Sequence, residues 1–347
     1  MSRAHDPSSP LAIGLSAAGA GAMWWSPNHA VFTAGLLTLL GVALMRSCRL
    51  AGGGGTLREL HAPLLVFVVA LLHGIWPFSA PIALVALGLV GAAFPAQLWL
   101  ESLRGRLPSN EFLLLLLAQP GLALAVHILG PQTVTLDADA RLWLSAWFVI
   151  GAIVQTGLSL VRSEPERAVF ALGLSQASLL IAGAMVSTQG YDAEYSMLIG
   201  ADLGLAGLVM VVAELQRRYP FDHLAPDNGL AESEPTLARL FLVIGWFFSG
   251  LPGGVIFFAE DLVFHALVEH SNWLTAGMIF VSAMNGVGFY RVYLGVFSGR
   301  TRPDLSASGQ PCAWLPHLLR LMLVTTLVFG FVPQLLLWHA HGSGGGH

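Results

Sequence analysis

The residues best suited to chemistry lie in one apolar segment, 247–270, which reads FFSGLPGGVIFFAEDLVFHALVEH. Glu260, Asp261 and His265 follow a glycine- and proline-rich stretch in this segment. Carboxylates and imidazoles bind and release protons, and ionisable side chains are costly enough inside a lipid bilayer to indicate a function. The segment therefore predicts a proton-loading site in a hydrated cavity.

The stretch 249–254 predicts a break within this helix. Proline removes a backbone donor and glycine adds flexibility, so the carbonyls beside the break need side chains or water as partners. Discontinuous helices of this kind mark ion or substrate sites in transporters. Alternatively, the break only brings the three ionisable side chains to the outer interface, where water solvates them. The residues assigned to the break are Gly250, Pro252, Gly253 and Gly254.

Other polar residues inside apolar runs are weaker candidates. Asp202 lies in the sequence IGADLGLAG, where a place on the proton path or a structural contact with an Arg or His would explain it. Ser175 and Gln176 lie in the middle of another run, where hydrogen bonds between helices are the ordinary explanation. Arg291 can extend to the cytoplasmic interface, so we expect it to be an anchor.

The composition requires a membrane around these residues. The chain has 347 residues, of which 55% are hydrophobic and only 10% charged, whereas soluble domains carry about 25% charged residues. A chain of this length cannot bury so much apolar surface in its own interior. We therefore predict an all-α polytopic membrane protein in contact with membrane lipid. The net charge of −4 argues against nucleic acid as a partner.

Apolar runs of about 20 residues predict about eleven transmembrane helices, one of them discontinuous. Their approximate bounds are 11–25, 30–47, 62–78, 81–100, 111–129, 140–161, 168–187, 196–216, 236–268, 273–297 and 314–338. Arginines are concentrated in every second loop, as is typical of cytoplasmic loops. We therefore expect a multi-pass protein of the inner (cytoplasmic) membrane with its N-terminus cytoplasmic and its C-terminus outside. We interpret 1–340 as one transmembrane domain and 341–347 as a linker or tag remnant.

The sequence lacks the motifs of an enzyme. It has no nucleophile elbow, no His/Cys metal spacing and no nucleotide loop, and its two cysteines, Cys48 and Cys312, lie far apart. We expect no catalytic residue, metal or cofactor in this chain, although a partner could be enzymatic. All 16 cationic side chains are arginine, so the sequence contains no lysine.

Four segments, in the right order, resemble the antiporter-like subunits of respiratory complex I and the Mrp-type cation/proton antiporters. They are FPAQLWLESLRGRLPS (94–109), RSEPERAVFALGLSQ (162–176), GLPGGVIFFAEDLVF (250–264) and FYRVYLGVFSG (289–299). The third is the most specific, because it resembles the family's broken helix, whose Gly-Pro turn precedes a buried Lys or Glu. The resemblance covers roughly residues 30–340 and leaves the chain about three N-terminal helices short of the family's usual fourteen.

This resemblance implies a proton path through half-channels lined by buried charges. Glu260 takes the position of the family's key charge in the broken helix, and Asp261 accompanies it. The family's two lysines and the glutamate partner of the first fall on uncharged positions, near Val90, Gln119 or Pro120, and Leu36. A chain without lysine cannot hold that lysine relay, so we expect a retained half-channel around Glu260.

The predicted function is a shortened antiporter-like subunit that conducts or couples protons or monovalent cations within a larger energy-coupled complex. The resemblance implies two settings. One is respiratory ion pumping with antiporter-like or redox subunits, and the other is inorganic-carbon uptake with a soluble carbonic-anhydrase-like partner. The alternative is a non-conducting subunit that anchors a partner. The missing lysines favour that alternative, and the intramembrane acids disfavour it. An enzyme acting in the membrane is disfavoured by the lack of a catalytic constellation.

Overall fold

Every secondary-structure element that the computed structural model describes is a helix, which confirms the all-α prediction. The described residues are 10–25, 29–50, 57–75, 80–91, 97–104, 107, 109–117, 123–124, 137–186, 188–225, 228–300, 305 and 307–332. The helices of this part are α1 (Pro10–Trp25), α2 (His29–Leu50), α3 (Leu57–Ile75), α4 (Ala80–Val90), α5 (Leu98–Arg104), α6 (Ser109–Leu117), α7 (Ala138–Val161), α8 (Pro165–Val186), α9 (Thr188–Arg218), α10 (Leu230–Ser233), α11 (Pro235–Phe248), α12 (Val255–Val268), α13 (Asn272–Phe297) and α14 (Leu315–Phe331).

Four of these helices are long and apolar enough to cross a membrane by length and composition. They lie at Ala30–Ser47 within α2, Ala138–Val161, Pro165–Val186 and Asn272–Phe297. Other apolar helices of the described part are shorter, among them Pro235–Phe248 and Leu315–Phe331. The polytopic membrane fold is therefore confirmed, and the count of eleven spans stays a prediction.

The chain divides into two compact units, of which the first comprises residues 1–148. In this unit α1 and α2 approach each other through glycines, since a Cβ atom on Gly35 would lie only 2.6 Å from the Gly19 carbonyl oxygen. Small residues of this kind let membrane helices pack closely. An ion pair joins α2 to α6, with Arg46 Nε 3.0 Å from Glu111 Oε2 and Arg46 Nη2 2.9 Å from Glu111 Oε1. The guanidinium and carboxylate thus form a bidentate pair, which fixes one helix end against another.

The second unit comprises residues 149–347 and is organised around α8. This helix is buried along most of its length and contacts α9, α12 and α13. Glycines again set the closest approaches, because Cβ atoms on Gly173 and Gly183 would lie within 3 Å of Leu205 and Val263, respectively. Polar groups carried by α8 are therefore enclosed by protein on several sides.

The arginine at the end of α9 takes part in a folded polar cluster. Arg218 forms an ion pair with Glu234, and the Tyr219 hydroxyl donates a hydrogen bond of 2.9 Å to the same carboxylate. Burial and this hydrogen bond raise the pKa of Tyr219, so the phenol stays a donor at neutral pH. The cluster ties the end of α9 to the start of α11.

One glycine in this unit permits an unusually close contact between α11 and α13. A Cβ atom on Gly245 would lie 1.8 Å from Phe289 Cε2, and Phe289 is itself buried and stacked on Phe241 with ring centroids 5.7 Å apart. We expect Gly245→Ala to lower the free energy of unfolding by about 1–3 kcal/mol, because the phenyl ring has to move within a packed core. Thermal unfolding in detergent measures the effect.

Gly286→Ala is the matched control, since nothing lies within 4 Å of a Cβ atom at that position of α13. Alanine favours a helix over glycine by about 1 kcal/mol, so this variant should unfold at an equal or higher temperature than the parent. An equal loss of stability in the two variants would contradict the packing argument.

Candidate functional site

The candidate site lies at the break between α11 and α12. The sequence predicts this break, and the structure contains it. Helix α11 ends at Phe248 and α12 begins at Val255. Two of the predicted glycines have left-handed backbone conformations, with φ of +82° at Gly250 and +97° at Gly253. Only glycine adopts these angles without steric cost, so the sequence itself dictates where the helix stops.

Gly250 also allows a carboxylate to approach the turn. A Cβ atom at this position would lie 2.5 Å from Glu260 Oε2, closer than side-chain atoms can pack. The carboxylate of α12 is therefore folded back against the backbone of the break. Glu260 is partly buried there.

A third helix closes the break from another side. A Cβ atom on Gly330 of α14 would lie 2.2 Å from the Gly253 carbonyl oxygen and 2.7 Å from the Gly254 carbonyl carbon. Backbone atoms cannot yield as side chains do, so glycine is required at this contact. Pro252, in contrast, is exposed.

Gln176 of α8 holds both the carboxylate and the break. Its buried Nε2 donates to Glu260 Oε1 at 3.2 Å and to the Phe248 carbonyl oxygen at 3.2 Å. Phe248 is the last residue of α11, so its carbonyl oxygen has no N–H donor within the same helix. Because that carbonyl can only accept, the amide nitrogen must face it, which fixes the orientation of the Gln176 side chain.

A buried cluster of uncharged polar side chains adjoins Gln176 and consists of Thr156, Ser175 and Asn285. The Thr156 and Ser175 hydroxyl oxygens lie 2.7 Å apart, and Thr156 donates to Asn285 Oδ1 at 2.6 Å. All three side chains are almost fully buried. We call these residues the hydroxyl–amide cluster, which joins α7, α8 and α13.

Polar contacts continue from this cluster toward the end of α7. Ser159 donates to the Thr156 carbonyl oxygen at 2.7 Å, and Arg291 Nη1 donates to the carbonyl oxygens of Ser159 and Arg162 at 3.0 and 2.8 Å. A cation at the C-terminal carbonyls of a helix is favoured by the helix dipole. Arg291 therefore caps the C-terminal end of α7.

Several buried polar atoms of α7, α8, α13 and the break have no hydrogen-bond partner among the described residues. They are both amide atoms of Gln155, Asn285 Nδ2, Gln176 Oε1, Ser249 Oγ and Ser282 Oγ. The Ser282 hydroxyl lies beside Glu260 without reaching hydrogen-bond geometry with it. Buried polar groups without protein partners are the groups that bind internal water.

The other predicted site residues lie apart from this carboxylate. Asp261 and His265 are exposed, with 55% of each side chain accessible, and His265 Nδ1 lies 3.7 Å from Asp261 Oδ1. Asp202 is partly buried on α9. Glu260 is bound by Gln176 of α8, whereas Asp261 and His265 are exposed on another side of α12.

The arrangement combines one titratable carboxylate with hydroxyls and amides that can donate and accept hydrogen bonds. Such groups can take up, hold and pass on protons through water. Within the described residues, no three His, Cys, Asp or Glu side chains come together to hold a metal ion. The carboxylate and its hydrogen-bonding neighbours have the chemical groups that proton transfer requires.

Sequence reasoning missed how the polar side chains of three helices combine. Gln176 appears in the sequence as an ordinary helix–helix contact, and Thr156 and Asn285 give no signal beyond being polar inside apolar runs. The sequence signal that could have revealed the site is that α7, α8 and α13 each carry polar residues inside an apolar run. Their joint placement depends on helix packing, which the sequence pattern does not specify.

Fold and site together define a multi-pass helical membrane protein with a discontinuous helix and a carboxylate at its break. A family model described as NADH:quinone oxidoreductase/Mrp antiporter, TM, matches residues 26–285. The chain belongs to this family, which confirms the resemblance seen in its sequence.

Relatives and solved structures agree with this assignment. NADH-quinone oxidoreductase subunit N of Halorhodospira halophila is 25% identical over 267 residues, covering 72% of this chain and 54% of that protein. A chain in the structure of the Mrp complex from Dietzia sp. DQ12-45-1b matches with a TM-score of 0.78, 18% identity and coverage of 94% of this chain and 76% of that one. A chain of respiratory complex I from Thermus thermophilus with bound NADH gives a TM-score of 0.71, 20% identity and coverage of 94% and 80%. The chain spans about half the length of the curated relatives it matches.

Proposed function

We propose that this chain is an antiporter-like subunit that conducts protons, or couples their movement, within a larger complex of the inner membrane. Glu260 is the proton-loading group, and the N-terminus faces the cytoplasm. The observation that carries the proposal is the position of Glu260, which is folded against a helix break and held by Gln176. A carboxylate inside a membrane helix is costly and is kept where it serves a function.

The hydroxyl–amide cluster supports a route from Glu260 toward the cytoplasm. Its side chains reorient without changing charge, so they can order internal water without trapping a proton. The unpartnered atoms of Gln155 and Asn285 supply further positions for that water. The route ends at Arg291, whose permanent charge cannot accept a proton. We therefore assign Arg291 a positioning role rather than a carrier role.

The test is a flux measurement on the complex purified from its native host. The complex is reconstituted in liposomes that contain a pH-sensitive dye, and the rate of internal pH change is followed after a proton gradient is imposed. Proton movement that depends on Glu260 supports the proposal, and the decisive variants of that residue are given in the Discussion. Movement that is independent of Glu260 overturns it.

Thr156 provides a second, smaller test of the route. Thr156→Val keeps the side-chain volume and removes the hydroxyl that bridges Ser175 and Asn285. Loss of a buried hydrogen bond costs about 1 kcal/mol, and a barrier raised by about 1–2 kcal/mol slows flux about 5- to 30-fold. Liposome flux measures the change.

Thr325→Val is the matched control for this variant. The Thr325 hydroxyl bonds the Leu321 carbonyl oxygen of its own helix, α14, at 2.9 Å. Its removal should leave flux unchanged. Equal flux in the Thr156 and Thr325 variants would exclude the hydroxyl–amide cluster from the route.

A non-conducting, anchoring subunit is the second candidate, and one observation favours it. The positions where the family resemblance expects charged residues include Val90 and Leu36, and both side chains are buried and apolar here. Gln119 and Pro120 lie outside the described residues. A chain without lysine has lost that part of the family's machinery, and the flux measurement decides between the two candidates.

The partners of the complex define which energy-coupled process it serves. We propose other membrane subunits, of the antiporter-like or redox type, or a soluble carbonic-anhydrase-like protein of an inorganic-carbon uptake system. Mild-detergent purification from the native host with mass spectrometry distinguishes them. Redox or antiporter-like subunits indicate respiratory pumping, a zinc-enzyme-like partner indicates carbon uptake, and a chain without partners argues against the subunit proposal.

A further inference from the structure

The outer face of α12 carries an ionisable pair between apolar residues. Phe257, Asp261, His265 and Val268 are all exposed and recur at intervals of three or four residues, so they form one stripe along the helix. We call these four residues the Asp261 face. Glu260 belongs to a different side of the same helix.

The depth of Asp261 makes this stripe unusual for a surface in contact with lipid. Asp261 lies seven residues before the end of α12, which corresponds to about 10 Å along the helix axis. Half of the hydrocarbon core measures about 15 Å. A helix that starts at a break inside the membrane therefore places this carboxylate within the apolar layer, where a charge requires a partner.

His265 does not fully meet that requirement. Its Nδ1 lies 2.8 Å from the Asp261 backbone carbonyl oxygen, and since a carbonyl only accepts, Nδ1 must carry the proton. The Nδ1 proton is therefore directed at this backbone carbonyl oxygen rather than at the Asp261 carboxylate. Among the described residues, no ion-pair partner for Asp261 is closer than this ring at 3.7 Å.

We propose that the Asp261 face is the docking surface for a transmembrane helix of another subunit that carries an arginine or lysine at the matching depth. The Asp261 carboxylate calls for a cationic donor, and within the described part no arginine of this chain forms an ion pair with it. Phe257 and Val268 lie above and below the pair and supply the apolar contacts that exclude water from it. The inference concerns assembly and does not require that Glu260 conduct protons.

Photo-cross-linking in native membranes tests this proposal. The photoreactive residue p-benzoylphenylalanine replaces Phe257 in the tagged full chain, expressed in its native host. We expect a covalent adduct with one membrane subunit, mapped by mass spectrometry to a transmembrane helix that contains Arg or Lys. We expect Asp261→Leu and Asp261→Asn, each added to this background, to reduce the adduct at least fivefold, whereas Asp261→Glu retains it.

Two controls separate docking from misfolding and from conduction. Glu269→Gln alters an exposed acid at the end of α12 and should leave the adduct unchanged, as should Glu260→Gln. The elution profile of each purified variant reports whether the chain still folds. Adducts with lipid alone, with a second copy of this chain, or with a helix lacking Arg and Lys overturn the proposal, as does an adduct that persists undiminished in Asp261→Leu.

Discussion

Replacing Glu260 with glutamine should abolish ion-coupled activity while the complex still assembles. Glutamine has the same shape as glutamate and can still accept a hydrogen bond from Gln176, but it cannot take up or release a proton. Groups that transfer protons contribute about 10²–10⁴-fold to the rates they serve, so liposome flux should fall by about 10²-fold or more. Subunit content after affinity purification reports assembly.

Two further variants give this prediction its control. Glu260→Asp keeps a titratable group at reduced reach and should retain part of the flux. Glu269→Gln removes an exposed carboxylate at the far end of the same helix and should retain all of it. Full flux in Glu260→Gln would reject Glu260 as the loading group and would leave the anchoring function as the stronger candidate.

The largest expected effect on stability comes from the ion pair of the first unit. Glu111→Ala leaves the Arg46 guanidinium, which is only 14% exposed, without its bidentate carboxylate partner. Removing one member of a buried pair costs about 3–5 kcal/mol, since the remaining charge stays in a medium of low dielectric constant. The midpoint of thermal unfolding in detergent should fall accordingly.

The double variant Arg46→Ala/Glu111→Ala should lose less than the sum of the single losses, because the two residues contact each other and the double variant removes both members of the pair together. Glu164→Ala is the surface control, since the Glu164 and Arg167 side chains are each about one-third exposed, at 35% and 33%. Exposed pairs contribute at most about 1 kcal/mol. Comparable losses for Glu111→Ala and Glu164→Ala would show that the Arg46 pair is effectively solvated.

The break in the long apolar segment was predictable because its cause is local. Gly250 and Gly253 adopt backbone angles that other residues avoid, and Pro252 cannot continue the hydrogen-bond ladder, so three neighbouring residues determine the outcome. The all-α membrane fold was predictable for a similar reason, since composition alone excludes a soluble interior. Glu260 was a candidate because any carboxylate just beyond such a break requires an explanation.

The contacts around Glu260 were not predictable, because they join residues far apart in the sequence. Gln176 and Glu260 are separated by 84 positions, and Thr156 and Asn285 by 129. Nothing in the pattern around Thr156 indicates which way α7 rotates against α13. The family resemblance singles out Glu260 from Asp261, but the residue pattern itself does not say which of the two faces α8. One residue step of about 100° places them on different sides of α12.

Gln176 couples the backbone at the end of α11 to the Glu260 carboxylate of α12. Its one amide nitrogen is shared between a titratable group and a backbone carbonyl, so rotation about a single side-chain torsion changes both contacts together. A protonated, neutral Glu260 would attract that nitrogen less strongly, so the nitrogen would bond more strongly to the Phe248 carbonyl oxygen. The charge of Glu260 on α12 would thereby change how rigidly the break between α11 and α12 is held. The conformation of the break would in turn change how strongly Gln176 binds the Glu260 carboxylate.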